Sequence, residues 1–80
     1  MEIQVLFFGI STDLVGETKK TYSLEEHASV KDLKKFLQSH YANLNNLNDF
    51  AIAVNEEYAN DNLLLKDNDI IAIIPPVSGG

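Results

Sequence analysis

The run Ile-Ile-Ala-Ile-Ile at residues 70–74 constrains the fold more than any other feature of this chain. Its β-branched side chains favour an extended strand, and no other stretch of the sequence is as rich in them. A polar turn, Lys-Asp-Asn-Asp at residues 66–69, precedes the run, and Pro75 and Pro76 follow it. Because proline has no N–H to pair in a sheet, strand pairing should end near residue 74. We therefore predict a strand at a central sheet position.

Two further strands are predicted to form a hairpin at the start of the chain. Residues 2–8 are rich in apolar side chains and alternate with polar ones at first, which indicates a strand. Gly9 is expected to begin a loop, and residues 11–16 have the composition of a turn. Residues 19–24 alternate well enough to pair back with the first strand. The two strands should be antiparallel.

One amphipathic helix is predicted after the hairpin. Ser29 is a typical N-cap residue, and Asp32 lies in the first turn that it would begin. The pattern predicts a helix over residues 30–41. Its apolar side chains recur at helical spacing, at Val30, Leu33, Phe36, Leu37 and Tyr41.

The remaining segments complete the order β-β-α-β-(β)-β. Residues 43–49 are predicted to be a loop that Leu44 and Leu47 anchor to the body. Residues 50–54 have the pattern of a buried strand, and residues 58–65 that of a short strand or an irregular connection. A single helix that crosses a mixed sheet beginning with a hairpin is the ubiquitin-like β-grasp arrangement. The predicted class is therefore α+β, with one main helix on one face of the sheet.

Apolar side chains are predicted on both faces of this sheet. On the first strand Leu6 and Phe8 point away from the side that Ile3, Val5 and Phe7 share. The last strand is also apolar on both sides, which is more surface than one helix can cover. We interpret the second face as a protein-docking face, with Phe8 as its main anchor because aromatic side chains often dominate interface energies. The alternative is that loops cover this face.

Residues 75–80 are predicted to form an extended tail that follows a β-grasp domain over residues 1–74. Six extended residues reach roughly 20 Å, enough to enter the active site of a partner. Gly79 has no Cβ and can pass through a narrow channel, and Gly80 offers an unhindered carboxylate. We predict that this carboxylate is the working group. The tail residues expected to contact the partner are Pro75, Pro76, Val77 and Ser78.

Composition disfavours several kinds of partner. Twelve acidic residues face six lysines and no arginine, and the formal charge of −6 disfavours nucleic acid and anionic membranes. A basic protein is a more plausible partner, although the charge could serve solubility alone. The apolar stretches are too short to span a membrane. The absence of cysteine fits a reducing compartment, so we expect a cytoplasmic protein.

No metal site is predicted. The absence of cysteine excludes a thiolate site and a disulfide. Asp67 and Asp69 resemble the start of a calcium loop, but Ala72 and Ser78 stand where that loop needs a glycine and a glutamate. A turn is therefore expected there.

Three segments closely resemble the small subunits of molybdopterin synthases, a family of sulfur carriers. They are residues 54–58 (Val-Asn-Glu-Glu-Tyr), residues 65–70 (Leu-Lys-Asp-Asn-Asp-Ile) and residues 74–80 (Ile-Pro-Pro-Val-Ser-Gly-Gly). The Pro-Pro-x-Ser-Gly-Gly ending is the most specific part. Family members often carry an arginine and an acidic residue in the first loop, where this chain has Thr12 and Asp13. A role for that arginine is not carried over.

The resemblance implies a cycle of sulfur transfer at Gly80. An ATP-dependent adenylating enzyme, similar to ubiquitin activators, would activate the carboxylate, and a sulfur donor would convert it to a thiocarboxylate. The tail would then enter the large synthase subunit and deliver sulfur to cyclic pyranopterin monophosphate. The chain would bind no cofactor and would not be catalytic alone. The assembly implied is a heterotetramer, with two small subunits flanking a dimer of large ones.

Three other functions stay open. The same Gly-Gly activation serves sulfur carriers for thiamine or a related pathway and ubiquitin-related modifiers that are joined to protein lysines. A different class is a non-catalytic interaction module, for which the Gly-Gly ending would be incidental. Deletion of Gly80 separates these classes, because only a carrier or a modifier would lose its activity.

Overall fold

A five-stranded mixed sheet and one long helix form the body of the protein. The computed structural model describes residues 1–44 and 49–75. In chain order the elements are β1 (Glu2–Phe7), α1 (Ile10–Val15), β2 (Lys19–Ser23), α2 (Val30–His40), a short 3₁₀ helix (Ala42–Leu44), β3 (Ala51–Val54), β4 (Glu57–Tyr58) and β5 (Ile70–Ile74).

The sheet has the strand order β2-β1-β5-β3-β4. Strand β1 pairs antiparallel with β2 and parallel with β5, so that Val5 lies opposite both Lys20 and Ile71. Strand β3 pairs antiparallel with β5 and with β4. The predicted hairpin and the predicted central position of the isoleucine-rich strand are both confirmed.

Helix α2 begins at a complete capping box. The Asp32 N–H donates to the Ser29 hydroxyl at 3.2 Å, and the Ser29 N–H donates to an Asp32 carboxylate oxygen at 2.9 Å. These bonds satisfy donors that a helix start leaves without intrahelical partners. The helix ends at His40, and Tyr41 is its C-cap, one residue earlier than predicted.

The core lies between α2 and one face of the sheet. Ile3, Val5 and Phe7 of β1 are buried in it, as the alternation predicted, and Ile71 and Ile73 of β5 are fully buried. The rest of the core consists of Tyr22, Val30, Leu33, Leu37, Leu44, Ile52, Val54 and Leu65.

The segment predicted to be a loop and turn contains helix α1, so that prediction was wrong. Gly9 lies at its start with φ 57° and ψ −134°, and Gly16 ends it in the left-handed conformation. The Gly16 N–H donates to the Thr12 carbonyl at 2.8 Å. Six helical residues are too few to show a helical period, which explains why composition alone suggested a turn. Strand β1 accordingly ends at Phe7, one residue earlier than predicted.

The connections after α2 agree partly with their predictions. Leu44 is buried as predicted, although it lies at the end of the short 3₁₀ helix, whereas Leu47 lies outside the described residues. Of residues 58–65, predicted as a short strand or an irregular connection, only Tyr58 lies in a strand, β4, and the rest is an irregular connection. Asn55 and Glu56 form the two-residue turn between β3 and β4. Both residues have positive φ, 51° and 72°, as the tight turn of a hairpin with two-residue loop requires.

Candidate functional site

The candidate site consists of the start of the tail and the sheet face opposite α2. Pro75 follows β5 directly and is the last residue that the structure describes. The predicted reactive residues Gly79 and Gly80 lie outside the described residues. So do three residues predicted to contact a partner, Pro76, Val77 and Ser78.

The sheet face opposite α2, here called the open face, has a low centre. Cross-strand register places Leu6 opposite Ala72, Ala72 opposite Ala53 and Ala53 opposite Tyr58, in one row across four strands. Residues in such a row share a face of the sheet. Because alanine side chains are short, the row is shallow between Leu6 and Tyr58.

A groove of about 560 Å³ lies on the open face. Phe8 is 49% exposed and Ile70 is 44% exposed, so loops leave both side chains accessible. The structure thus brings Leu6 and Phe8, predicted as docking residues, to one mostly apolar surface. Their contact with a partner stays a prediction. The residues that line the groove are Leu6, Phe8, Asn55, Glu56, Ile70 and Ala72.

Asn55 was missed as a site residue by the sequence analysis, although it lies in a segment that carries the family resemblance. Its side-chain N–H₂ donates to an Asp69 carboxylate oxygen at 2.9 Å, and its side-chain oxygen accepts from the Ile70 N–H at 3.0 Å. The Asn55 N–H donates to the Ile70 carbonyl at 2.8 Å. These bonds join the turn after β3 to the start of β5 and hold Ile70 at the groove.

In the turn at residues 66–69, where a calcium loop was considered, the aspartate carboxylates accept hydrogen bonds from the backbone. The buried Asp69 carboxylate accepts from the Lys66 N–H at 2.7 Å, and Asp67 accepts from the Glu2 N–H at 2.7 Å. Backbone donors thus hold both carboxylates. Over residues 1–44 and 49–75, no group of three or more acidic or histidine side chains is placed to bind a metal ion.

The backbone turns tightly at residues 7–12, beside the start of the tail, and this segment is called the corner. The Thr12 hydroxyl donates to the Phe7 carbonyl at 2.9 Å, and the Thr12 N–H donates to the Gly9 carbonyl at 3.1 Å. Thr12 therefore has a structural role of its own where family members often carry an arginine. The Pro75 ring packs against Gly9 at this corner.

The ionisable groups with shifted pKa values lie away from the groove. Burial, together with the hydrogen bond between the Tyr22 and Tyr41 hydroxyls, raises the pKa of Tyr22. Hydrogen bonds from the Ser29 N–H and hydroxyl lower the pKa of Asp32. Neither tyrosine nor Asp32 lines the groove, so these pKa shifts affect the stability of the fold and not the groove. None of the helices in the described part of the chain has the length and apolar character needed to cross a membrane.

Comparison with known proteins identifies the family. The model of the ThiS family matches residues 5–80. The molybdopterin synthase sulfur carrier subunit of Chlamydomonas reinhardtii is 37% identical, and the match covers 100% of both chains.

Two solved structures show the same fold. SAMP1 from Haloferax volcanii superposes with a TM-score of 0.89 at 20% identity, with 100% of both chains covered. At that identity the likeness concerns the fold alone. A complex of subunits 1 and 2 of the molybdopterin-converting factor from Helicobacter pylori contains a chain that is 34% identical, with a TM-score of 0.72 and 100% of both chains covered. The predicted ubiquitin-like β-grasp class is confirmed, and the chain belongs to the ThiS family.

Proposed function

We propose that this protein is the sulfur carrier subunit of a molybdopterin synthase. The observation that carries the proposal is the 37% identity, over the full length of both chains, to a subunit of that name. The Gly-Gly ending supplies the bare carboxylate that such a carrier needs. The isolated fold does not distinguish a carrier from other proteins of this class, so the proposal rests on sequence as well as shape.

The proposed chemistry takes place at the Gly80 carboxylate. A carboxylate oxygen attacks the α-phosphorus of ATP on a separate adenylating enzyme, and pyrophosphate leaves. Hydrosulfide then attacks the carbonyl carbon of the acyl adenylate, AMP leaves, and one proton is released. The product is a thiocarboxylate, which is a better nucleophile at neutral pH than the carboxylate it replaces. No cysteine of this chain is needed, and the chain has none.

Delivery requires the large subunit of the synthase. The thiocarboxylate sulfur attacks a carbon of cyclic pyranopterin monophosphate, and the bond from that carbon to oxygen breaks, with the oxygen keeping the electron pair. Water then cleaves the bond between the Gly80 carbonyl and sulfur. This step restores the carboxylate and leaves sulfur on the substrate, and two deliveries supply the two sulfurs of the dithiolene. Because this chain has no arginine, binding of the phosphate is assigned to the large subunit. Gly80 thus donates sulfur, whereas the chain alone is not catalytic.

The open face is the proposed contact with the large subunit. Three observations support this placement: the groove is mostly apolar, Phe8 and Ile70 are about half exposed, and the Helicobacter pylori relative was solved as a complex of subunits 1 and 2. An apolar side chain of the partner would fill the low centre between Leu6 and Tyr58. The predicted heterotetramer and cytoplasmic location belong to this proposal.

An intact-mass measurement tests the proposal. The purified chain is incubated with the adenylating enzyme of its host, ATP and sulfide, and a Gly80-deleted variant is the control. We expect the mass increase of one oxygen-to-sulfur exchange in the full chain and none in the variant. No increase, with an adenylating enzyme shown to be active on another carrier, would contradict the proposal.

A second step separates the alternative pathways. The thiolated chain is mixed with the large subunit and cyclic pyranopterin monophosphate, and sulfur on the pterin is measured. Transfer would support the molybdopterin synthase. Thiolation without transfer would favour a carrier for thiamine or a related pathway, and covalent adducts with protein lysines would favour a modifier.

A further inference from the structure

Gly9 is in unusually close contact with the first residue of the tail. A Cβ built on Gly9 would lie 2.8 Å from Cγ of Pro75, 3.7 Å from its Cδ and 4.0 Å from its Cβ. Carbon atoms of different residues do not approach to 2.8 Å without displacing one another. The bare backbone of Gly9 therefore provides the space in which the Pro75 ring lies.

The backbone conformation of Gly9 points to the same conclusion. With φ 57° and ψ −134°, Gly9 has a conformation that residues with a Cβ rarely adopt. Hydrogen bonds hold the chain on both sides of it: Thr12 binds the Phe7 and Gly9 carbonyls, and the Phe7 N–H donates to the Thr18 carbonyl at 2.9 Å. The corner that carries Gly9 is thus fixed in place.

The other side of Pro75 is fixed as well. The preceding residue, Ile74, lies opposite Ala51 of β3, and Ile73 lies opposite Phe7 of β1. The proline ring itself restricts φ of Pro75. Pro75 is therefore held between the end of a central strand and the corner at Gly9.

We propose that Gly9 is a positioning residue, which seats the Pro75 ring and thereby directs the tail toward the active site of a partner. This inference rests on the proposed function, in which the Gly80 carboxylate must reach a reactive centre held by another protein. Gly9 contacts no reacting atom. Its effect on the reaction passes through Pro75.

The chain offers a matched control for the test. Gly16 also has positive φ, 82°, but a Cβ there would meet nothing within 4 Å. Gly16→Ala therefore adds backbone strain without a collision, whereas Gly9→Ala adds strain and a collision with the Pro75 ring. Pro75→Ala removes Cγ and Cδ of that ring. The variant that carries both Gly9→Ala and Pro75→Ala keeps the strain and relieves the collision.

The rate of thiocarboxylate formation is measured for these variants at limiting chain concentration and well below their unfolding temperatures. We expect Gly9→Ala to lower kcat/KM by about tenfold to a hundredfold, because small misplacements of a reacting group have effects of that size. Gly16→Ala should react like the wild type. The loss caused by Gly9→Ala should be clearly smaller when Pro75→Ala is also present, which a merely structural role would not produce. An equal loss in both backgrounds, or equal rates for Gly9→Ala and Gly16→Ala, would overturn the inference.

A nuclear Overhauser contact between Gly9 Hα and Pro75 Hγ gives a readout that does not depend on activity. We expect the contact in the wild type and in Gly16→Ala and its loss in Gly9→Ala. If the wild type forms no thiocarboxylate, the proposed function fails, and the nuclear Overhauser contact alone tests whether the Pro75 ring packs against Gly9. Absence of this contact from the wild type would overturn the inference, whatever the activity.

Discussion

Phe8 is the residue whose exposure most suggests a binding role. It is a large aromatic side chain, 49% exposed, at the groove of the open face. Complete burial of such a side chain in an interface commonly contributes about 2 kcal/mol to binding. We therefore expect Phe8→Ala to weaken binding to the large synthase subunit about 30-fold, a change that calorimetric titration can measure.

Leu64 provides the matched control for Phe8. It is 54% exposed and does not line the groove, so Leu64→Ala should bind like the wild type. Circular dichroism would show whether each variant is folded. A folded Phe8→Ala variant with unchanged affinity would place the interface elsewhere.

The raised pKa of Tyr22 predicts that the folded protein loses stability in alkaline solution. Burial and the Tyr41 hydroxyl raise its pKa above the ordinary value of 10.0 in the folded state. An unfolded chain would lose this proton near pH 10, while the folded chain would keep it. The contribution to the free energy of unfolding is therefore complete below pH 10 and is lost as pH rises from there toward the folded pKa.

The Tyr22→Phe variant tests this dependence. At neutral pH it should be less stable by about 1 kcal/mol, because it loses the hydrogen bond to Tyr41. Above pH 10 the difference from the wild type should narrow, as measured by urea unfolding at several pH values. Tyr58→Phe, at an exposed position, controls for the loss of a tyrosine. If the difference in the free energy of unfolding between Tyr22→Phe and the wild type stays constant with pH, the raised pKa of Tyr22 is contradicted.

At the scale of elements, the capping box of α2 predicts a loss of stability in acid. Hydrogen bonds from Ser29 lower the pKa of Asp32 below its ordinary value of 3.8. A lowered pKa in the folded state stabilises the fold above pH 3.8, and that contribution is lost as pH falls through the folded pKa. Asp32→Asn should therefore be less stable than the wild type at neutral pH, and the difference should shrink below pH 3.8.

Urea unfolding between acid and neutral pH measures this effect. Lys35→Gln is the control because Lys35 is exposed on the same helix and makes a smaller contribution to the pKa of Asp32. A gap between wild type and Asp32→Asn that does not change with pH would show that the charge of Asp32 is not involved.

The sequence patterns predicted some helices and strands better than others. The alternation of β1 and the N-cap of α2 are local signals, and both predictions were confirmed. Helix α1 has six residues and is bounded by two glycines, so local composition favoured a turn. The bonds of Asn55 to Asp69 and Ile70 join residues far apart in sequence, and no periodicity could have indicated them.

At the scale of the whole molecule, the central position of β5 followed from the sequence because this run was apolar on both sides, whereas the full order of strands was not predicted. A strand like β5 must lie between neighbours and beneath a helix, which leaves few arrangements of the other strands. The groove was predicted only as an apolar face, since its shape depends on two alanines that meet across strands. The division into a domain over residues 1–74 and a tail over residues 75–80 stays a prediction.

The central place of β5 also affects how the protein is made. Strand β1 emerges from the ribosome first, but β2, β3 and β4 separate it in sequence from its parallel partner β5. Such distant pairing slows folding, and without β5 the remaining strands would form two separate pairs. A nascent chain cut short before β5 could not complete its sheet and would be exposed to proteases. Translation past β5 is thus a condition for folding, so cellular quality control would remove carriers that lack the segment to which the tail is attached.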